Sequence, residues 1–182
     1  MRPGLTPPSV GEAAPPLDAQ PVSGLRVRVG SGTPLVVCFV RSVLGGQARA
    51  AVRVVHAALP ALEARGVGVV LVSGGPLGAA RDFVPRWHVR APLVVDEDGA
   101  IFRAWGVGSA AWSQALSGVG APFLRDQFRA AFEGRGALRA PLQLPATFVV
   151  DGGGVVRFAR VGASPWELPM PGVAFDVLGM TR

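Results

Sequence analysis

The chain has 182 residues, of which 49% are hydrophobic. This is enough to bury one substantial core, and nothing in the length requires a second domain. The net charge of +6 comes from arginines scattered between Arg2 and Arg182 without any lysine, so no basic cluster indicates a nucleic-acid partner. The single cysteine, Cys38, excludes an internal disulfide, a C-x-x-C redox pair and a zinc site built on several thiolates.

The N-terminal residues lack the pattern of a secretory signal, because no apolar core of about 7 to 15 residues follows a basic end. No other stretch approaches about 18 uncharged apolar residues, so no membrane-spanning segment is predicted. We therefore expect a cytoplasmic protein without a membrane partner. Residues 1–22 are rich in Pro, Gly, Ala and Ser, which predicts a flexible arm ahead of one domain over residues 23–182.

Apolar strands and helices alternate in the next part of the chain. An unbroken apolar run at 35–40 predicts a central strand buried on both faces, and an apolar stripe from Ala48 to Leu62 predicts a helix that ends at Gly66. A second buried strand at 67–73 completes a parallel βαβ unit. The other elements predicted here are a half-exposed strand at 25–29, a helix around 77–84, and a strand at 92–96 followed by a turn at 97–99.

The last third of the chain combines a less regular stretch with a hairpin. Residues 107–144 are predicted to be a helical insertion, because Leu124, Phe128 and Phe132 form an apolar stripe at helical spacing. The elements predicted after this insertion are two antiparallel strands at 146–150 and 155–161, the Gly-rich turn 151–154 between them, and a short closing helix at 173–180.

Three segments carry a resemblance to a known family. The apolar strand 35–41 precedes a short loop and an arginine-bearing helix, the stretch 94–107 combines an Asp with a Phe-Arg-Ala-Trp-Gly sequence, and the segment 144–152 opens a strand with Leu-Pro-Ala-Thr. Together they resemble the alkyl hydroperoxide reductase and thiol-specific antioxidant (AhpC/TSA) family, in particular its peroxiredoxin-like branch. The resemblance covers about residues 22–162. It implies a thioredoxin-like α/β fold, with helices flanking a mixed central sheet, and a cis peptide bond before Pro145.

The resemblance also identifies what the chain lacks. The peroxiredoxin-like branch has an Arg, a short spacer, and then Cys-x-x-Cys-Arg at the start of the first helix. With Arg41 and Arg49 placed on these two arginines, the first cysteine position falls on Gly45 and the second on Ala48. Ser42 stands where the family often has Thr or Ser. The resemblance therefore implies a vestigial site without the peroxidatic and resolving thiols.

Three functions stay open for such a chain. We favour a binding or interaction protein without peroxidase activity. The second is a thiol-dependent antioxidant or oxidoreductase that acts through Cys38 or a partner's thiol, although a lone cysteine inside a central strand is usually a small buried hydrophobic residue. The third is a binder of a small anion or peroxide-like ligand at the start of the first helix. Its candidate residues are Arg41, Ser42, Gly45, Gly46 and Arg49.

The remaining polar residues indicate structure more than chemistry. His56 and His88 have no acidic or histidine partner at helical spacing, so neither a metal site nor a cofactor is predicted. The carboxylates at 96–98 precede a glycine and suit a solvated turn. A homodimer is expected from the family's tendency to pair and from apolar residues outside the predicted core, namely Trp112, Phe123 and Trp166.

Overall fold

A computed structural model describes residues 6–44, 46–109, 143–164 and 167–179 of the chain. The elements in chain order are β1 (Asp18–Ala19), β2 (Val27–Arg28), β3 (Leu35–Ser42), α1 (Gly46–Glu63), β4 (Gly68–Gly74), α2 (Leu77–Arg86), β5 (Leu93–Asp96), α3 (Ala100–Ala104), β6 (Ala146–Val150), β7 (Val156–Val161), a 3-10 turn (Pro171–Val173) and α4 (Ala174–Val177).

Five strands form the central sheet in the order β5-β4-β3-β6-β7. The β3–β4 and β4–β5 pairs are parallel, whereas β6 runs antiparallel to both β3 and β7. Helix α1 connects β3 to its parallel neighbour β4, as the apolar stripe predicts, and Gly66 ends the connection with a left-handed φ of 70°. The predicted mixed α/β sheet is therefore confirmed.

Strand β3 supplies side chains to both faces of the sheet. Successive residues alternate between two buried clusters, because side chains on a strand point to opposite faces. Val36, Cys38 and Val40 belong to the cluster that contains the buried face of α1. Leu35, Val37 and Phe39 belong to the second cluster, in which the aromatic rings of Phe102, Trp105 and Phe148 surround that of Phe39. The unbroken apolar run at 35–40 is thus a strand buried on both faces.

The N-terminal segment is packed against the domain, and the prediction of a flexible arm is wrong for residues 6–22. Leu17 is only 3% exposed and belongs to the second cluster. The backbone of residues 11–14 exchanges hydrogen bonds with residues 154–156, and the Val22 N–H donates to the Leu93 carbonyl. The low apolar content of this segment predicted disorder, but one large buried side chain and pairing along strand edges are enough to order it.

The predicted strand at 25–29 is shorter than expected and lies outside the central sheet. Only Val27–Arg28 forms a strand, and it pairs antiparallel with β1 in a separate two-stranded sheet. The predicted insertion at 107–144 lies mostly outside the described residues, as do Trp112, Phe123 and Trp166. Its two ends meet, because Ser109 and Gln143 form an antiparallel bridge.

The C-terminal part contains the predicted hairpin. Strands β6 and β7 pair antiparallel, and the Asp151 carboxylate accepts hydrogen bonds from the backbone N–H groups of Gly153 and Val155 across the turn. The described residues contain no cis peptide bond, so the expected cis bond before Pro145 is wrong. A trans bond is the favoured form before proline by about 0.5 to 1 kcal/mol. The predicted closing helix is present as the 3-10 turn and α4.

Candidate functional site

The three parallel strands end at one edge of the sheet. Strands β3, β4 and β5 end at Ser42, Gly74 and Asp96, and helices α1, α2 and α3 begin shortly after them. Side chains from three separate parts of the chain therefore meet at this edge. In open sheets of this kind, ligands bind in the crevice outside the carboxyl ends of the strands.

The first turn of α1 contains no thiol, and a buried glutamine in this turn forms hydrogen bonds to two other parts of the chain. Gly45 lies outside the described residues, and Ala48 is buried with its methyl group in the core. Gln47 is 7% exposed, its Oε1 accepts the Arg41 N–H at 3.4 Å, and its Nε2 donates to the Glu167 carbonyl at 2.9 Å. Sequence reasoning missed Gln47, although its position four residues before buried Ala51 places it on the inward face of the helix.

The other residues of the predicted anion site contact different neighbours. The guanidinium of the exposed Arg49 lies 5.2 Å from the ring centroid of Trp87, a cation–π contact between α1 and the end of α2. Ser42 Oγ accepts the N–H of Leu44 at 3.3 Å. Arg41 is half-buried, and burial lowers the pKa of its guanidinium. An anion site at Arg41, Ser42, Gly46 and Arg49 stays a prediction.

Cys38 lies in the middle of the central sheet. It pairs with Leu71 of β4 on one side and Thr147 of β6 on the other, and its side chain has no solvent exposure. Burial raises the pKa of its thiol to about 12. Since the thiolate is the nucleophile in cysteine chemistry, this environment opposes both formation of the reactive species and access to it.

A cleft of about 580 Å³ opens at the carboxyl ends of β3, β4 and β5. Arg41, the Gly74–Gly75 loop and the 96–99 turn line one part of it. Residues 102–103 and 107–109, together with Gln143, line the rest. Glycines contribute to this space, because a Cβ on Gly74 would lie 3.0 Å from the Arg41 carbonyl oxygen. The cleft thus combines carboxylates, guanidinium groups and an amide within one concave surface.

Asp96 lies buried in the wall of this cleft. The interpretation of residues 96–98 as a solvated turn is therefore wrong for Asp96. Only Glu97 and Asp98 are exposed, whereas Asp96 is 5% exposed and its Oδ2 accepts the Phe102 N–H at 2.8 Å. Burial raises the pKa of Asp96 despite this hydrogen bond, and the neighbouring Asp98 carboxyl raises it further. The side chain bends inward because it satisfies backbone N–H groups of α3.

The exposed carboxylates of the same turn have structural partners. Glu97 Oε1 accepts the N–H of Leu77 at 2.8 Å and so serves the start of α2, where Pro76 provides no side-chain cap. Asp98 Oδ1 accepts the Ala100 N–H at 3.1 Å, and Arg103 donates to the Asp98 carbonyl at 2.6 Å. Residues 97, 98 and 103 therefore hold the turn against two helices.

Gln143 completes the cleft from the far end of the insertion. Its Oε1 atom is buried, and no donor within hydrogen-bond distance is found among the described residues. This amide lies close to the end of β4, because a Cβ on Gly74 would come within 3.7 Å of the same oxygen. Sequence reasoning missed Gln143, since backbone pairing between residues 108–109 and 143–144 brings it beside the β5–α3 turn.

The residues that the structure describes contain neither a membrane-spanning helix nor a cluster of metal ligands. No helix there has the length and apolar character needed to cross a membrane. No group of three or more His, Cys, Asp or Glu side chains in that part of the chain could hold a metal ion. His56 accepts the N–H of Arg90 at 3.1 Å, which is a structural contact, and the exposed His88 has a left-handed φ of 48°.

One protein family matches more than half of the chain by sequence. The family described as AhpC/TSA antioxidant enzyme matches residues 55–164. No curated protein sequence matches the chain. The matched range begins after the first turn of α1, so it depends on neither Gly45 nor Ala48.

Several solved structures share the fold. The peroxiredoxin-like protein from Aquifex aeolicus has a TM-score of 0.68 at 18% identity, covering 98% of this chain and 91% of that one. Peroxidoxin BcpB from Mycobacterium tuberculosis has a TM-score of 0.63 at 16% identity, covering 93% and 94%. The thiol peroxidase from Chromobacterium violaceum has a TM-score of 0.63 at 13% identity, covering 96% and 88%. The predicted thioredoxin-like, peroxiredoxin-like fold class is confirmed.

Proposed function

This chain belongs to the AhpC/TSA antioxidant enzyme family, and from that premise we propose that it is a redox-inactive member that binds a ligand instead of reducing peroxides. The observation that carries the proposal is the environment of Cys38, the one thiol in the sequence. A family fold without an accessible thiol keeps the shape of the site and loses the chemistry.

The state of Cys38 argues against peroxide reduction in two ways. Because burial raises the pKa of the thiol to about 12, Cys38 is protonated at neutral pH. A peroxide would also have to reach a side chain with no solvent exposure, which lies in the core cluster between the sheet and α1. A reactive cysteine must be both ionised and accessible to the peroxide. Because Cys38 is neither, the two effects together slow any reaction at its sulfur.

The first turn of α1 offers no substitute nucleophile. Peroxide reduction transfers one oxygen to a thiolate and leaves a sulfenic acid, which a second thiol then converts to a disulfide. Ala48 carries a methyl group, and no second cysteine exists anywhere in the chain. The alternative of an antioxidant that acts through Cys38 would need both local opening of the core around this side chain and a thiol from another molecule.

The discriminating experiment measures peroxide consumption. Hydrogen peroxide and cumene hydroperoxide are each followed with dithiothreitol as the reductant, for the native chain and for Cys38→Ala. We expect equal rates for the two proteins, no faster than dithiothreitol alone. A functional thiol peroxidase assayed in parallel shows that the conditions support turnover, and circular dichroism shows that the variant is folded. Faster consumption by the native chain than by Cys38→Ala would overturn the proposal.

A further inference from the structure

We propose that the cleft at the carboxyl ends of β3, β4 and β5 binds a small molecule carrying a protonated amine, which Asp96 and the side-chain oxygen of Gln143 hold. This inference rests on the proposed function, because it names the ligand class of a binding protein. It places the ligand on the α2–α3 side of the sheet edge.

The place and size of the cleft suit a small ligand. Its floor is the edge where three parallel strands end, and its volume of about 580 Å³ lies within the range of about 300 to 1,000 Å³ that small-molecule sites occupy. Glycines keep the floor open, and Gly75 has a φ of 102°, a backbone conformation that other residues rarely adopt. A side chain at Gly74 would press on the Arg41 carbonyl and approach Gln143.

Asp96 supplies the charge in this site. A buried carboxylate is unfavourable for folding unless its interactions compensate for the lost hydration, and burial raises the pKa of Asp96 even with the Phe102 N–H bound to it. An asparagine could accept that hydrogen bond without carrying a charge. Perturbed carboxyl groups that line a cleft mark functional sites more often than other positions.

Gln143 determines which kind of ligand group fits. Within the part of the chain that the structure describes, its buried Oε1 atom has no donor, so the site has an acceptor that a ligand N–H could satisfy. Two of the charged neighbours are engaged in the fold, because Glu97 binds the N–H of Leu77 and Arg103 binds the Asp98 carbonyl. A protonated amine can donate to both acceptors and offset the charge of Asp96.

A titration with two matched cations tests the proposal. Butylammonium and butyltrimethylammonium have the same charge and the same chain, but only the first can donate N–H hydrogen bonds. Each is added to the ¹⁵N-labelled full chain at constant ionic strength while the Phe102 amide signal is followed, because this N–H binds Asp96. We expect a saturable shift with butylammonium and binding at least about tenfold weaker with butyltrimethylammonium.

Two conservative variants extend the test. Asp96→Asn keeps an acceptor for Phe102 and removes the charge, and Gln143→Met keeps the length and removes the oxygen. Both should weaken butylammonium binding about tenfold or more, with dispersed amide spectra that show an intact fold. Equal shifts with the two cations, or unchanged affinity in either folded variant, would refute the site. If sodium acetate gave the saturable shift instead, the cleft would be an anion site.

This outcome is independent of the peroxide assay. Cys38 does not line the cleft, so the titration can be repeated with Cys38→Ala. Retained binding combined with peroxide consumption by the native chain would refute only the redox-inactive function. Absence of binding combined with absence of peroxidase activity would refute only the amine site.

Discussion

The Cys38 thiol is covered by the helix that packs on its face of the sheet. The side chain belongs to the cluster that contains the buried face of α1, so exposure of the thiol requires that α1 move away from β3 or that the domain unfold. We expect 5,5′-dithiobis(2-nitrobenzoic acid) to label the native chain at least about a thousandfold more slowly than the chain in urea. Because the chain has one cysteine, the absorbance reports a single site. Equal labelling rates in the two states would contradict this burial.

Gly152 shows a close approach that the Gly-rich turn alone does not reveal. A Cβ at this position would overlap the carbonyl group of Gly32, where the loop after β2 crosses the hairpin turn. We expect Gly152→Ala to lower the free energy of unfolding by about 1 to 3 kcal/mol, because backbone on both sides has to move.

Gly78 provides the matched control for that substitution. It lies in α2, and a Cβ there meets nothing within 4 Å. Gly78→Ala should therefore raise the free energy of unfolding by about 0.5 to 1 kcal/mol. Urea unfolding followed by tryptophan fluorescence measures both variants, and a Gly152→Ala variant as stable as the native chain would disprove the overlap.

The strands of the central sheet were predictable because their patterns are strong. Unbroken apolar runs indicate strands buried on both faces, and β3, β4 and β6 have such runs. Strands β1 and β2 have two residues each, which is too short for any periodicity to appear in the sequence. Their order comes from backbone hydrogen bonds and from the burial of Leu17, and neither of these has a compositional signature.

Leu17 tests whether the N-terminal segment belongs to the folded domain. The side chain is 3% exposed in the second cluster, whereas Leu25, in the same part of the chain, is 88% exposed. We expect Leu17→Ala to lower the free energy of unfolding by about 2 to 4 kcal/mol and Leu25→Ala to change it by less than about 0.5 kcal/mol. Chemical denaturation measures both, and a segment that behaved as a flexible arm would give two equally neutral variants.

The candidate site depends on the whole topology, which limits what its sequence could reveal. The resemblance drew attention to Arg41, Ser42 and Arg49. In the structure, however, the Arg49 guanidinium packs on the Trp87 ring, whereas Arg41 lines the cleft. Asp96 and Gln143 line the same cleft because β5 lies beside β4 and because the two ends of the insertion pair through Ser109 and Gln143. Neither residue has a motif, since their proximity depends on pairing between distant segments.

The pH dependence of folding involves a contact between α1 and the segment that precedes β5. His56 on α1 accepts the Arg90 N–H, and Arg90 also forms a 3.7 Å ion pair with Glu63 near the end of that helix. Burial, and then the charge of Arg90, lowers the pKa of His56 below its ordinary value of 6.5. As the pH falls, the unfolded chain therefore takes up this proton before the folded chain does, so stability decreases with acidity.

Replacing the imidazole should reduce that decrease. The stabilising contribution of neutral His56 is complete above the unfolded-state value of 6.5 and is lost as the pH falls through the lower folded-state pKa. His56→Gln cannot take up the proton, so its urea midpoint should fall less than that of the native chain between about pH 8 and pH 5. His88→Asn is the control, because His88 is exposed and asparagine tolerates its left-handed backbone. This control should follow the native profile, and an equal fall in His56→Gln would show that the Arg90 contact does not couple folding to the proton.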